Sequence, residues 1–221
     1  MTARPPFLLC LVTDRVAAGG DDALVRSCAA AARAVPAGAL GIEVREKDLA
    51  ARGLLDLVRR IRAAVAGTGT PVLVNDRLDV ALAAGADGVH LPGTGLAPAD
   101  ARRAFGGLVG VSTHSAAALA ALDPACVDFA TFGPVFDTPS KRAYGAPQGL
   151  DRLREAAAAS RVPVLAIGGI EASSVAGVLA AGAAGVAVIR AVLAARDPGE
   201  AAVRLIERVI GSEGGAGTGR G

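Results

Sequence analysis

The stretch PVLVNDRLDVALAAGADGVHL, residues 71–91, holds two short apolar runs with a helical segment between them. The first run stops at the polar pair Asn75-Asp76, the helical segment begins at Arg77, and the second run is DGVHL. Near-continuous Val, Ile and Leu are typical of strands buried on both faces, which occur in parallel sheets with helical crossovers. We therefore predict a strand–helix–strand unit with parallel strands here.

The same alternation runs through the chain, with eight apolar runs and Ala-rich amphipathic segments between them. The runs are FLLCLVT from Phe7, LGIEVRE from Leu40, PVLVN from Pro71, DGVHL from Asp87, LVGVS from Leu108, VDFATFG from Val127, PVLAIG from Pro163 and GVAVI from Gly185. The amphipathic segments include 22–35, 54–65, 150–158, 173–181 and 200–210. Eight such units predict the α/β class and a single (β/α)8 TIM barrel over residues 1–210.

An open doubly wound sheet is the alternative to a barrel. Its dinucleotide-binding form requires Gly-x-Gly-x-x-Gly after the first strand. Residues 13–20 read TDRVAAGG, so that motif is missing. Beyond the predicted barrel, residues 211–221 read GSEGGAGTGRG, which can bury too little apolar surface to offset the entropy of ordering. We expect a disordered tail there.

Composition and charge narrow the class of protein further. A chain of 221 residues with 52% hydrophobic content can bury a full core in one domain. A net charge of +2 and 3% aromatic residues argue against nucleic acid as a partner. Cys10, Cys28 and Cys126 lack metal-ligand spacing, which indicates core residues in a reducing cytoplasm. The first apolar run is too short to cross a bilayer, so no membrane association is expected. The sequence leaves open whether the protein forms a homo-oligomer.

Functional side chains of a (β/α)8 barrel lie after the carboxyl ends of its strands, and the second strand has the most charge. Glu43, Arg45 and Lys47 alternate with a period of two, which places them on one face of a strand. If these side chains faced the helices, they would be buried charges without partners. We therefore predict that they point towards the barrel mouth. The alternative is a solvated strand end with a Glu43–Arg45 ion pair.

The third and fifth strands also end in polar groups. Asp76 is a hard oxygen ligand suited to Mg²⁺, and with the two cations of the second strand it suggests a polyphosphate–metal site. Asn75 could join that site or cap the following helix, and the whole set could instead be an ion-pair network of the rim. After the fifth strand, Ser112 and His114 reach the mouth, where His114 could shuttle protons or cap a helix. His90, on the fourth strand, is expected to be a structural histidine.

The remaining strand ends are rich in hydroxyl groups and glycine. The longest loop, from Gly133 to Gly149, carries Thr138, Ser140 and Lys141, and it could be an active-site lid or an ordinary surface loop. Gly168-Gly169 after the seventh strand and Ile189-Arg190 after the eighth suit a phosphate, because backbone amides can approach an anion closely there.

Together these motifs resemble the thiamine phosphate synthase and TenI superfamily from about Leu9 to Ile210. The matching pieces are LVTD at 11–14, VREKDL at 44–49, VNDRLDVAL at 74–82, GADGVHL at 85–91, GVSTHS at 110–115, FGPVFDTPSK at 132–141 and AIGGI at 166–170. The resemblance implies coupling of hydroxymethylpyrimidine pyrophosphate to thiazole phosphate, with release of pyrophosphate. It implies pyrophosphate contacts by Arg45, Lys47, Asn75 and Lys141, and a contact of Ser112 with the pyrophosphate or the group that forms next to it. It also implies a thiazole phosphate site at Thr138, Ser140, Gly169, Ile189 and Arg190, and Mg²⁺ at Asp76.

Three positions depart from that family pattern. Gly95 replaces a second aspartate ligand of Mg²⁺, Glu43 replaces a glutamine, and Arg190 replaces a phosphate-binding serine. The segment LPGTGLAP at 91–98 resembles the TenI branch, which includes metal-independent thiazole tautomerases in which the histidine matching His114 carries the proton. We expect the synthase, with the tautomerase as the alternative. A further alternative is a protein that binds phosphorylated thiamine precursors without catalysing a reaction.

Overall fold

The computed structural model describes residues 4–137 and 147–214, and in them eight parallel strands close into one barrel. The strands are β1 (Leu9–Val12), β2 (Leu40–Val44), β3 (Val72–Asn75), β4 (Gly88–Leu91), β5 (Leu108–Thr113), β6 (Phe129–Phe132), β7 (Val164–Ile167) and β8 (Gly185–Val188). Each strand pairs with the next in sequence, and β1 pairs with β8. The predicted (β/α)8 barrel is confirmed, and the open sheet is wrong.

The helices follow the strands and cover the outside of the barrel. They are α1 (Arg15–Ala18), α2 (Asp21–Ala34), α3 (Ala51–Ala64), α4 (Leu78–Ala84), α5 (Pro98–Ala104), α6 (Ala116–Ala120), α7 (Gly149–Ala159), α8 (Val175–Ala180), α9 (Arg190–Leu193) and α10 (Pro198–Gly214). No described helix is both long and apolar enough to cross a bilayer. The last helix continues past Ile210, so the predicted boundary between domain and tail lies too early. Residues 215–221 lie outside the described residues.

The apolar core has two layers, one between sheet and helices and one inside the barrel. Phe7 and Phe129 fill the inside, with ring centroids 5.1 Å apart in an edge-to-face arrangement. Two glycines make room for these rings, because an added Cβ would lie 2.5 Å from the Phe7 ring at Gly41 and 2.4 Å from the Phe129 ring at Gly110. These aromatic rings close the barrel interior and leave the carboxyl ends of the strands for polar groups.

Candidate active site at the barrel mouth

Glu43 points into the barrel, as the alternation of its strand predicts. It pairs in register with Val12 and Leu73, which both belong to the interior cluster. Its Oε2 lies 2.8 Å from Nδ1 of His90, and the two residues are only 3% and 2% exposed. Within the described residues Nδ1 has no hydrogen-bond partner, so this is a close electrostatic contact. The alternative of a Glu43–Arg45 ion pair is wrong, because the partner is His90.

His90 connects Glu43 to hydroxyl groups on two further strands. Its Nε2 lies 3.1 Å from Ser112 Oγ and 3.4 Å from Thr131 Oγ1. The ring packs edge-to-face on Phe129 with centroids 5.4 Å apart. His90 is thus buried and hydrogen-bonded, as expected of a structural histidine, yet it also joins the predicted site residues Glu43 and Ser112. Thr131 was not among the predicted site residues, although its position two residues after the inward-facing Phe129 places it on the same face of β6.

Arg45 and Lys47 lie beyond the last residue of β2, so the strand alternation does not extend to them. The backbone N–H of Arg45 donates to Oγ1 of the buried Thr13 at 2.9 Å. Both cations line a cavity of about 230 Å³ that also includes Ile189 from the end of β8. Within residues 4–137 and 147–212, neither side chain forms an ion pair, so both charges are available to an anion in the cavity.

A separate ion-pair network holds the neighbouring loop in place. The Arg15 guanidinium lies 3.1 Å from Asp21 and 2.5 Å from Asp48, and its backbone N–H donates to both carboxylate oxygens of Glu46 at 3.2 and 3.3 Å. Burial raises the pKa of Glu46, while the hydrogen bond from Arg15 lowers the pKa of Asp48. A rim network therefore exists, but it consists of other residues than Arg45 and Lys47.

The end of β3 lies beside the end of β2. Val44 pairs with Val74, which puts Asn75 level with Arg45, and Asn75 itself pairs with His90. Asn75 does not cap the following helix, because Arg77 is at the N-cap position and no side chain accepts there. Asp76 has a φ of 64°, a left-handed conformation that is uncommon for a residue with a side chain. Such backbone strain is frequent at functional sites.

Metal binding at this mouth depends on few protein ligands. The described residues contain no cluster of three His, Cys, Asp or Glu side chains that could hold a metal ion. The exposed carboxylate of Asp76 is a single oxygen donor, which is compatible with Mg²⁺ only when a substrate supplies further oxygens. At Gly95, an added Cβ would lie 2.8 Å from the Pro92 ring, so an aspartate there would require the turn to shift.

His114 lies at the rim between β5 and β6, where its Nδ1 is 2.6 Å from the carbonyl oxygen of Gly133. That carbonyl can only accept, so Nδ1 carries the hydrogen, and the ring is exposed with no hydrogen bond at Nε2 to residues 4–137 or 147–214. The capping alternative is wrong for His114, since Ser115 is the N-cap of α6 and its Oγ accepts from Ala118 N at 3.2 Å.

The glycine-rich strand ends are those of β7 and β8. Gly168 and Gly169 have positive φ values of 100° and 65° and pack against the backbone of residues 134–137. Arg190 begins the short helix α9 and is exposed, and Ile189 precedes it. The predicted contacts Thr138, Ser140 and Lys141 lie outside the described residues. The described residues among those predicted for the two phosphate sites thus lie at or near the carboxyl ends of the strands.

Comparison with known proteins assigns the chain to a family. The family model described as thiamine monophosphate synthase matches residues 9–192. The thiamine-phosphate synthase of Anaeromyxobacter dehalogenans is 45% identical over 163 residues, which are 73% of this chain and 71% of the relative. That of Methanoregula boonei is 43% identical over 171 residues, 76% of this chain and 77% of the relative.

Solved structures agree with the sequence relatives. A thiamine phosphate pyrophosphorylase from Pyrococcus furiosus superposes with a TM-score of 0.83 at 29% identity, covering 95% of this chain and 98% of that one. A 3-hexulose-6-phosphate synthase from Salmonella typhimurium, at 20% identity and a TM-score of 0.70, shares the fold. On the family match across most of its length, the chain belongs to the thiamine monophosphate synthase family.

Proposed function

We propose that this protein is a thiamine-phosphate synthase, a transferase that couples hydroxymethylpyrimidine pyrophosphate to thiazole phosphate. The observation that carries the proposal is the pair of unpaired cations, Arg45 and Lys47, on the cavity at the barrel mouth of a member of this family. An anionic substrate would supply the negative partner that each of these two cations lacks within the described part of the protein. The curated relatives that carry the same name support this assignment.

The reaction breaks the C–O bond between the pyrimidine methylene and pyrophosphate and forms a C–N bond to the thiazole nitrogen. The electron pair of the broken bond leaves with pyrophosphate, and the thiazole nitrogen supplies the pair for the new bond. Negative charge therefore grows on the leaving oxygen in the transition state. Arg45, Lys47 and the amide of Asn75 would stabilise that charge, and fixed donors do so without reorganisation. Lys141 is a further proposed contact.

The thiazole phosphate would lie at the ends of β7 and β8, where Ile189 borders the same cavity as Arg45 and Lys47. Gly168 and Gly169 let backbone amides approach a phosphate, and Ile189-Arg190 at the start of α9 are the proposed contacts from the end of β8. Arg190 could add a bidentate contact. Thr138 and Ser140 are proposed hydroxyl contacts.

Mg²⁺ is part of this proposal through Asp76. One carboxylate and pyrophosphate oxygens are a usual ligand set for this ion, with water completing the octahedron. When bound, Mg²⁺ would neutralise charge on the leaving pyrophosphate. The small phosphorylated molecules are the only partners that the proposal requires.

A thiazole tautomerase is the second candidate, and the geometry of His114 favours it. The carbonyl of Gly133 fixes its tautomer and leaves Nε2 free to take and return a proton. This activity would require neither Arg45 nor Asp76. Those two residues are the reason why we favour the synthase.

One experiment compares the candidates directly. Purified protein is incubated with both synthase substrates, with and without Mg²⁺, and separately with thiazole carboxylate phosphate, and products are measured by mass spectrometry. We expect Mg²⁺-dependent thiamine phosphate and one equivalent of pyrophosphate. Aromatised thiazole without thiamine phosphate would support the tautomerase. Saturable binding without any product would indicate a non-catalytic binder.

A further inference from the structure

The cavity at the barrel mouth has three carboxylates in its lining as well as two cations. Asp14, Glu46 and Asp48 line it together with Arg45 and Lys47. Two cations and three carboxylates give this lining a formal charge of −1, which disfavours an anionic ligand. The cations can bind an anion only if the carboxylates beside them are held by other donors.

Two of the three carboxylates accept hydrogen bonds from the backbone. Oδ1 of Asp14, the N-cap of α1, accepts from the N–H of Val16 at 3.1 Å and from that of Ala17 at 2.9 Å. Glu46 is 8% exposed, and its two oxygens accept from the backbone N–H of Arg15 at 3.2 and 3.3 Å. Because these donors belong to the main chain, a side-chain substitution at position 15 leaves both sets of hydrogen bonds in place.

The third carboxylate, Asp48, is held by a side chain. Its Oδ2 accepts from the Arg15 guanidinium at 2.5 Å, and this hydrogen bond lowers the pKa of Asp48. The side chain of Asp48 is 63% exposed, so burial does not fix its orientation. Arg15 also donates to Asp21 at 3.1 Å and is not part of the cavity lining. The charge of Arg15 is thus directed to carboxylates and not to a ligand in the cavity.

Lys47 precedes Asp48 in the chain, lines the same cavity and is exposed. A lysine ammonium group is a point charge on a flexible stem, so it can pair with a free carboxylate beside it. Such a pair would compete with any ligand for the charge of Lys47. We propose that Arg15 is a positioning residue, which holds the carboxylate of Asp48 and thereby keeps Lys47 free to bind an anion. Identifying that anion as the pyrophosphate group of the substrate rests on the proposed function.

Nuclear magnetic resonance of ¹³C-labelled aspartate tests this competition without a ligand, and an Asp48→Asn spectrum assigns the signal. In Arg15→Gln we expect the pKa of Asp48 to remain below the ordinary value of an aspartate, because Lys47 replaces the lost partner. Adding Lys47→Gln to Arg15→Gln should then raise that pKa, whereas Lys47→Gln alone should leave it nearly unchanged. An equal effect of Lys47→Gln in both backgrounds would overturn the inference.

Calorimetric titration with pyrophosphate and Mg²⁺ measures the consequence for the anion site. Arg15→Gln should weaken binding about two- to fivefold, the effect of an exposed ion pair that competes for one cation. Arg15→Gln combined with Asp48→Asn should bind as the wild type does. Arg15→Gln combined with Asp21→Asn has the same formal charge but should remain weakened, because Asp21 is not part of the cavity lining. Failure of Asp48→Asn to restore binding, or equal recovery in both double variants, would contradict the proposal.

Two single variants separate this role from a general effect on the fold. Arg15→Lys keeps a positive charge beside Asp48 and should bind pyrophosphate nearly as the wild type does. Arg102→Gln removes an ion pair of the same 2.5 Å length, to Asp128 just before β6, and should leave binding unchanged. Equal weakening by Arg102→Gln and Arg15→Gln would indicate a purely structural effect and overturn the inference. A wild type that binds no pyrophosphate would refute the proposed function, and the titration of Asp48 would still decide the inference about Arg15.

Discussion

Replacement of His90 by leucine should destabilise the protein strongly, because it leaves the carboxylate of Glu43 buried without a partner. Removing one member of a buried charge pair typically costs about 3–5 kcal/mol. Since 1 kcal/mol shifts the melting temperature of a domain of this size by roughly 2–4 °C, a cost of about 4 kcal/mol corresponds to a decrease of about 8–16 °C. Both residues are nearly fully buried, so the general range for buried pairs applies.

Replacing Glu43 should also lower the free energy of unfolding. Glu43→Leu alone should cost about 1–3 kcal/mol, because Nδ1 of His90 becomes a buried atom without its carboxylate. The double variant should be closer to the wild type than His90→Leu is, with a coupling free energy of about 3 kcal/mol. Chemical denaturation followed by circular dichroism measures all four proteins. Asp151→Ala and Arg154→Ala form the matched control, since that exposed pair should couple by about 0.5 kcal/mol or less. Additive losses at Glu43 and His90 would refute the account of the buried pair.

Three further outcomes are expected. Gly110→Ala places a Cβ 2.4 Å from a buried phenylalanine ring and should cost about 1–3 kcal/mol of unfolding free energy, whereas Gly106→Ala, with nothing within 4 Å, should be close to neutral in the same denaturation experiment. Asp76→Asn keeps a residue that tolerates the left-handed backbone, so stability should change by about 0.5 kcal/mol or less while Mg²⁺-dependent product formation falls about tenfold in a rate assay. A thiol reagent at pH 8 should label Cys126 alone, because burial raises the pKa of Cys28 to about 12 and its thiolate appears only as the pH rises towards that value; labelling of three thiols in native protein would contradict this.

The sequence is sufficient to predict the strand order of the barrel, because each buried strand is a near-continuous apolar run with a helix after it. Period-two alternation also placed Glu43 inside the barrel correctly. Arg45 and Lys47 lie beyond the end of β2 at Val44, and both line the cavity at the mouth. Alternation describes one strand at a time and contains no information about the side chains of other strands.

The partner of Glu43 could not be predicted for the same reason. His90 is on the second strand along, and the contact depends on the register of β2, β3 and β4 together. The Arg15 network likewise joins residues more than 30 positions apart through loop conformations that no local pattern encodes. Thr138, Ser140 and Lys141 remain predictions. The fold thus follows from local patterns, whereas the site's electrostatic partners follow from tertiary register.

Calorimetric titration with pyrophosphate and Mg²⁺ tests most directly whether the carboxyl ends of these strands form an anion site. Wild-type protein should bind one equivalent, and Arg45→Ala should weaken binding at least about tenfold, as removal of a charged hydrogen-bond donor does. Arg33→Ala, at the last turn of α2, should bind as the wild type does. Absence of binding to the wild type, or equal weakening in both variants, would contradict the account.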